Sequence, residues 1–343
     1  MFGRAPHALT PALEDPLASD AADGTDQDAE AYETRECVVD TTQHGQRLDR
    51  VLVSLAPEFS RSHLQRLIDD GLAQVSGVTT PTASRRVSAG QRIAVTLRPT
   101  AEALAFRPEP MALDIVFEDD HLMVVNKPVG LVVHPAAGHW SGTLLNGLLA
   151  HHRVAAALPR AGIVHRLDKE TSGLMVVGKT LEAVTALVRL IAERDVGRTY
   201  LALAHGTFDG DGREIDAPIG RDPASRLRMA VVAGGRPSRT RVRVMGRGPG
   251  VSMLRCELHT GRTHQIRVHL AHQGHPLLGD TLYGGRPGLG MNRQALHATH
   301  LAFVHPMGGA RMAFSACLPD DLASAWTLAG GDPDAAVRLA VAG

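Results

Sequence analysis

Gly162-Ile163-Val164-His165-Arg166-Leu167-Asp168-Lys169-Glu170-Thr171-Ser172-Gly173-Leu174-Met175-Val176-Val177 is the stretch on which the reading of this chain turns. Ile163-Val164 leads in and Leu174 to Val177 leads out. Between these apolar runs lies a polar segment crowded with His165, Arg166, Asp168, Lys169 and Glu170. Short apolar, β-branched runs on either side of a turn predict buried strands joined by a loop. A loop held by a rigid sheet is a common place for catalytic groups. The plainer alternative is a charged turn on the surface, where exposed ion pairs contribute little.

Outward from that stretch, length and composition set the frame. The chain has 343 residues, which points to two domains. Hydrophobic residues make up 44% and aromatic residues 3%, so a full core is available and must be mainly aliphatic. The net charge of zero conceals an asymmetry. Residues 1 to 36 carry nine acids against two bases, so the remainder carries a net charge of +7. An acidic arm on a basic body is expected of a nucleic-acid binder, although a solvated arm without function reads the same way. Without an apolar period, residues 1 to 36 are expected to be disordered, with order beginning near Cys37. Cys37, Cys256 and Cys317 form no Cys-x-x-Cys pair, which argues against a disulfide framework and for a reducing cytoplasm. No apolar run is long enough to span a bilayer. The N-terminus has no basic-then-apolar signal pattern. No membrane partner is expected.

Residues 45 to 98 predict a small module. Leu48, Val51, Leu52 and Leu55 recur at helical spacing. Ser60 can cap a second helix with Leu64, Leu67 and Ile68 on its inner face, and Gly71 is placed to stop it. A strand from Leu72 to Val75, a Ser76-Gly77 turn and a strand from Ile93 to Leu97 follow. Residues 99 to 110 read as a linker. Beyond it, Leu113 to Phe117 and Leu122 to Val125 predict a hairpin. Thr143 to His151 predicts a short helix. Leu181 to Asp195 predicts an amphipathic helix with Val184, Leu187, Val188 and Ile191 on one face, and Arg198 to Leu203 a strand. Residues 221 to 243 hold seven arginines and one acid, either an RNA clamp or a surface loop. Ser252 to Leu258 is a strand, followed by a helix with Thr263 as candidate N-cap and Gly274 at its end. Residues 326 to 343 are expected to be a C-terminal tail.

Three groups of strings carry a resemblance. His165-Arg166-Leu167-Asp168, with its following charged pair and Thr-Ser-Gly, resembles the signature loop of the pseudouridine synthases that modify ribosomal and transfer RNA. Asn126-Lys127-Pro128 and Gly261-Arg262-Thr263-His264-Gln265-Ile266-Arg267-Val268-His269 resemble further motifs of that family, and Gly279 to Gly285 and Gln294 to Ala298 extend the likeness. Gly45 to Leu52, Ser60 to Ile68 and Ala89 to Ile93 resemble the S4 RNA-binding domain, with Ser76 where that family usually has Asn. The resemblance runs from about residue 45 to about residue 320.

It implies an α+β fold. Residues 111 to 325 should form a catalytic domain with a mixed, mainly antiparallel sheet, flanking helices and a cleft, and residues 45 to 98 a small α+β S4 domain. It implies isomerisation of uridine to pseudouridine, with Asp168 as the catalytic carboxylate. A carboxylate is a competent covalent catalyst or base. It must be ionised, so a fixed cation beside it is expected, and Arg267 matches the arginine that fills that role. Tyr200 matches a tyrosine that stacks on the target base and assists proton removal from C5. Arg166 matches a residue that holds the target nucleotide out of its stack, as chemistry on a base in folded RNA requires. His165, Leu167 and Ile266 are expected around the substrate, and the Lys127-Pro128 pair beneath the loop. Arg61 and Arg66 are candidate phosphate contacts. No cofactor is required.

Within the family the strings most resemble the D-type large-subunit group. That implies 23S ribosomal RNA or a large-subunit precursor as partner, uridines of the helix 69 hairpin as targets, and a cytoplasmic monomer. The C-type group, which also carries S4, stays open. Two readings from other classes were weighed. The histidines at 264, 269, 272 and 275 could serve a metal-dependent hydrolase, but their spacing is not His-Glu-x-x-His and no thiolate pair accompanies them. A non-catalytic S4 RNA chaperone would leave Asp168 dispensable.

Overall fold

The computed structural model describes residues 33–98, 100, 105–136, 138–225 and 227–341. The chain divides into two compact units, Met1–Thr100 and Ala101–Gly343.

In the first unit, β1 (Glu33–Val38), α1 (Leu48–Leu55), α2 (Arg61–Asp69), β2 (Ala73–Val75), β3 (Val78–Thr79) and β4 (Arg92–Leu97) follow one another. The four strands pair antiparallel in the order β1-β4-β2-β3. The inner faces of α1 and α2 bury Leu48, Val51, Leu52, Leu64, Leu67 and Ile68 against Val75, Ile93 and Val95 of the sheet. Ser60 caps α2 by accepting from the His63 backbone N–H at 3.3 Å. Of the expected acidic arm, residues 1–32 lie outside the described residues. Residues 33–36 correct the expectation, because they begin β1, which pairs with β4 from Glu33 opposite Leu97 to Val38 opposite Arg92. An outer strand tolerates charge, so composition alone masked it.

The second unit contains β5 (Ile115–Glu118), β6 (Leu122–Lys127), α3 (Leu144–His151), β7 (Ser172–Gly178), α4 (Leu181–Glu193), β8 (Gly197–His205), β9 (Gly212–Asp216), β10 (Ile219–Arg221), β11 (Met229–Val231), β12 (Arg239–Gly248), β13 (Val251–Leu258), α5 (Gln265–His272), β14 (Leu296–Val304), β15 (Arg311–Ser315), α6 (Asp320–Leu328) and α7 (Pro333–Val341). The large sheet runs β5-β6-β7-β14-β8-β13-β12-β9, with β15 also on β14. Every pairing in it is antiparallel except β7 with β14. The fold is therefore α+β with a mixed, mainly antiparallel sheet, as expected. At the parallel junction Gly173 has φ +113°, and a Cβ there would strike the Ala298 backbone, so only glycine lets β7 and β14 close up.

Several boundaries differ from expectation. Ile163 forms a single bridge to Val177 rather than a strand. The expected linker 99–110 is tied down where it is described. The Asn146 amide donates to the carbonyls of Ala105 and Arg107 at 3.2 and 2.8 Å, and Glu109 N–H donates to Asn146 O at 3.0 Å. Residues 105–110 thus belong to the second unit. Residues 326–341, expected as a tail, complete α6 and form α7, and bury Trp326, Ala329, Ala336 and Ala340 against Leu201, Leu203 and Met253. Small alanines at helical spacing carry little hydrophobic signal, which is why the helix was not foreseen. On α4, Val188 is exposed and Ala183 takes its place in the buried face with Val184 and Leu187. Within the basic stretch 221–243, β11 pairs with β10 and β12 enters the large sheet. No helix among the described residues is long and apolar enough to cross a membrane.

Candidate active site

The loop from Val164 to Thr171 leaves the Ile163 bridge and enters β7, and its second half, from Asp168 to Thr171, is held through its backbone. Lys127, buried at the end of β6, donates through Nζ to the carbonyls of Pro128, Leu131 and Lys169 at 2.8, 2.9 and 3.1 Å. Gly130 N–H donates to the same Lys169 carbonyl at 2.9 Å. Arg293 Nη1 donates to Glu170 O at 2.9 Å, and Thr171 N–H closes a turn on Asp168 O at 3.1 Å. A catalytic group on a loop needs such support, because small misplacements cost large factors in rate.

On the facing side, α5 starts at Gln265 directly after His264, which has φ +57° and makes no side-chain cap. Thr263 is therefore not the N-cap. The preceding turn is instead clamped by the buried Gln265 amide. Its Oε1 accepts from Thr260 Oγ1 and Arg262 N–H at 2.8 and 3.0 Å, and its Nε2 donates to Arg239 O and Thr240 Oγ1 at 3.0 and 2.9 Å. These bonds fix the turn that leads into α5, the helix that carries Arg267, while the helix's own first N–H groups receive no side-chain cap.

Arg267 is the centre of the polar constellation. Its Nη1 donates to Asp168 Oδ2 at 3.0 Å, and its Nε and Nη2 grip Asp280 at 2.7 and 2.9 Å. Burial opposes the guanidinium charge, but the Asp280 bonds and the Asp168 charge outweigh it and hold Arg267 above the ordinary arginine range. Tyr283 completes the mount. Its ring lies 5.0 Å from the Arg267 guanidinium carbon, a cation–π contact. Its hydroxyl accepts from Met229 N–H at 3.0 Å, which leaves its proton for His264 Nδ1 at 2.8 Å. Burial, with the charges of Arg267 and Arg166, depresses the His264 pKa. A neutral imidazole that accepts at Nδ1 carries its proton on Nε2, and that atom lies 3.8 Å from Asp168 Oδ1.

Asp168, His264 and Arg267 line one cleft of about 400 Å³. Asp168, Tyr200, Arg267, Leu167 and Ile266, all singled out from the sequence, come together in it. Tyr200 rises from β8, and burial pushes its phenol up to about 12, with the Asp168 charge adding to the shift and Arg198 opposing it. It is protonated at neutral pH. Arg166 is exposed at the rim, where the cleft continues into a groove beside the β10–β11 hairpin. His165 lines the cleft, but its Nε2 accepts from the Val176 N–H at 3.0 Å, so that nitrogen serves β7. Arg61 and Arg66 lie on α2 of the first unit. Arg61 is half committed, since its guanidinium and that of Arg47 both bond the buried Asp49, at 2.8 and 3.0 Å, whereas Arg66 is exposed.

The histidines weighed as metal ligands do not converge. His269 is bonded to Thr240 Oγ1 and Ala217 O at 2.9 and 3.0 Å, and His275 to His205 O at 2.9 Å. Among the described residues no group of three His, Cys, Asp or Glu side chains is arranged to hold a metal. Sequence reasoning missed the Asp280 and Tyr283 supports, although both lie in the Gly279 to Gly285 string that extends the resemblance. It also missed Arg198 as a cleft residue. Its spacing of two from Tyr200 on a strand places both on one face, and that was a usable signal.

A carboxylate fixed by a buried guanidinium, beside a tyrosine face and an open basic rim, suits covalent or base chemistry on a nucleotide. Comparisons with known proteins agree. The family described as RNA pseudouridylate synthase matches residues 121–272. A protein of Neisseria meningitidis serogroup A named ribosomal large subunit pseudouridine synthase D is 53% identical over 81% of this chain and 77% of its own length. One of the same name from Xanthomonas campestris pv. campestris is 44% identical over 92% and 99%. Among solved structures, human RNA pseudouridylate synthase domain containing 1 is 27% identical, with a TM-score of 0.52 over 68% of this chain and 98% of that one. This chain belongs to the RNA pseudouridylate synthase family.

Proposed function

We propose that this enzyme isomerises uridines of 23S ribosomal RNA to pseudouridine, in the helix 69 hairpin, with Asp168 as the catalytic carboxylate. The observation that carries the reading is the Asp168 carboxylate, 3.0 Å from a buried guanidinium in a cleft wide enough for a nucleotide. In the reaction the C1′–N1 bond breaks, the uracil turns, C5 bonds to C1′, the C5 proton leaves, and N1 takes up a proton. Nothing is oxidised or reduced, and the residues of the cleft suffice. Asp168 acts on the ribose or the base as nucleophile or base. Arg267 orients it through the 3.0 Å bond from Nη1 to Oδ2. Tyr200 offers its ring to the target base and, being protonated, a hydroxyl as donor. Arg166 at the rim holds the extruded nucleotide. The choice of large-subunit RNA is supported by the names of the relatives and by the D-type likeness of the motif strings. Residues 45–98 act as an S4-like RNA-binding module, with Arg66, and Arg61 where Asp49 releases it, toward phosphates. The enzyme works as a monomer in the cytoplasm.

The test is a map of pseudouridines in ribosomal RNA from cells lacking this protein. Loss of modification confined to helix 69 of 23S RNA is the expected result. An unchanged map, or losses elsewhere only, would overturn the target assignment.

A further inference from the structure

Arg198 stands apart from the other cations of the cleft. It is 6% exposed, yet its Nε has no hydrogen-bond partner, and no carboxylate among the described residues pairs with it. The other buried arginine that lines the cleft, Arg267, is matched by Asp280 and Asp168. An unmatched buried cation is costly, because its lost hydration is not repaid by a partner. Burial lowers its pKa, but a guanidinium stays charged at neutral pH. Its position is built. Arg198 and Tyr200 lie two apart on β8 and line the same cleft. Gly261 is the ground against which the guanidinium rests, for a Cβ there would lie 2.8 Å from Arg198 Nη1.

We propose that Arg198 is a catalytic residue that stabilises the negative charge developed on the exocyclic oxygens of uracil when the C1′–N1 bond breaks. The inference rests on the reading of this cleft as the isomerisation site. When that bond breaks heterolytically, its electron pair stays on the base and is shared among N1, O2 and O4. If Asp168 instead adds first at C6, the enolate formed places charge on O4. Either way the charge is taken up when C5 bonds to C1′; the C5 proton then leaves, N1 takes one up, and an Asp168–C6 bond, where formed, breaks by elimination that returns the carboxylate, so atoms and electrons balance without a co-reactant. A preorganised cation in a dry site is worth most where charge appears only during the reaction. Uracil fits better than phosphate for this reason. A phosphate is charged from the start and would be stripped of water on entry, whereas the exposed Arg166 at the rim offers it a hydrated contact.

The experiment compares Arg198→Met and Arg198→Lys with the unaltered enzyme, using a transcript of the target hairpin under single-turnover conditions. Asp168→Asn runs alongside. Arg198→Met should slow conversion by about 10²- to 10³-fold at saturating RNA. RNA affinity should change little, and Arg198→Lys should recover part of the rate. The melting temperature of Arg198→Met should not fall, because an unmatched buried charge has been replaced by an apolar side chain of similar length. With a transcript containing 5-fluorouridine, whose base anion is more stable, the deficit in consumption of the nucleotide should shrink. An unchanged rate would overturn the proposal. So would weaker RNA binding with a shallower salt dependence, the mark of a phosphate contact, or a lower melting temperature with an unchanged rate. Equal deficits on the two transcripts would also overturn it. If Asp168→Asn were fully active, the reading of the cleft itself would fail, and that outcome is separable from the behaviour of Arg198.

Discussion

At the scale of single residues, one arginine does two jobs. Arg267 gives two of its donors to Asp280, which is 2% exposed, and one to Asp168. Removing it strands a buried carboxylate, so Arg267→Ala should cost about 3–5 kcal/mol of stability as well as activity. The two effects separate in a double variant. Arg267→Met with Asp280→Asn removes both buried charges. It should recover most of the stability in urea denaturation while tritium release from C5-labelled uridine stays low. Recovery of turnover in the double variant would show that Arg267 acts only as a structural tie. Arg267→Lys keeps the charge but not the planar fork, and should fall between the unaltered enzyme and Arg267→Ala in both measurements. The identities of Asp168 and Arg267 were legible because each lies in a recognisable string. Their pairing was legible only through the resemblance, because they lie 99 positions apart and no spacing rule brings that loop and that helix together. Asp280 was less legible still. A buried ion-pair partner looks like any other aspartate until the fold places it.

At the scale of elements, what could be read was what repeats. A short apolar run announced β6, alternation announced β13, and the Ser60 cap announced α2. What could not be read were elements whose pattern is overwritten by another demand. β1 alternates but carries Glu33, Arg35 and Glu36, so it resembled the acidic arm before it. α5 follows His264 in the left-handed region and has no side-chain cap, and no capping rule anticipates that. The turn between β2 and β3 bears on stability directly. Ser76 has φ +53° and Gly77 φ +79°, the pair of positive values that a two-residue hairpin turn requires. Serine is strained there, and asparagine visits that region more readily. Ser76→Asn should therefore raise the stability of the first unit by about 0.5–1 kcal/mol. Chemical denaturation followed by a probe in residues 33–98 would measure it, and a loss of stability would show that Ser76 makes a contact more valuable than the strain it bears.

For the whole molecule, buried neutral histidines set an acid limit. Burial, with the charge of Arg198, brings the His165 pKa down to about 3, and burial first, then Arg293, brings His297 down to about 4. In the unfolded chain both return to the ordinary value near 6.5. Below that value the unfolded chain binds more protons than the folded one, so the stability held at higher pH is lost as pH falls from 6.5 toward 4. Each group contributes a slope of up to about 1.4 kcal/mol per pH unit. Melting curves between pH 7.5 and 4.5 should show this fall, and His297→Gln should flatten it by one group's share. An unchanged slope would assign the acid sensitivity elsewhere. The most direct measurement concerns the loop carboxylate that Arg267 holds at 3.0 Å. Asp168→Asn keeps the side chain's shape and removes its charge and nucleophile. With a hairpin transcript carrying tritium at uridine C5, the variant should bind RNA and melt like the unaltered enzyme while releasing no tritium above background. Release at the unaltered rate would contradict the assignment of the reaction to Asp168.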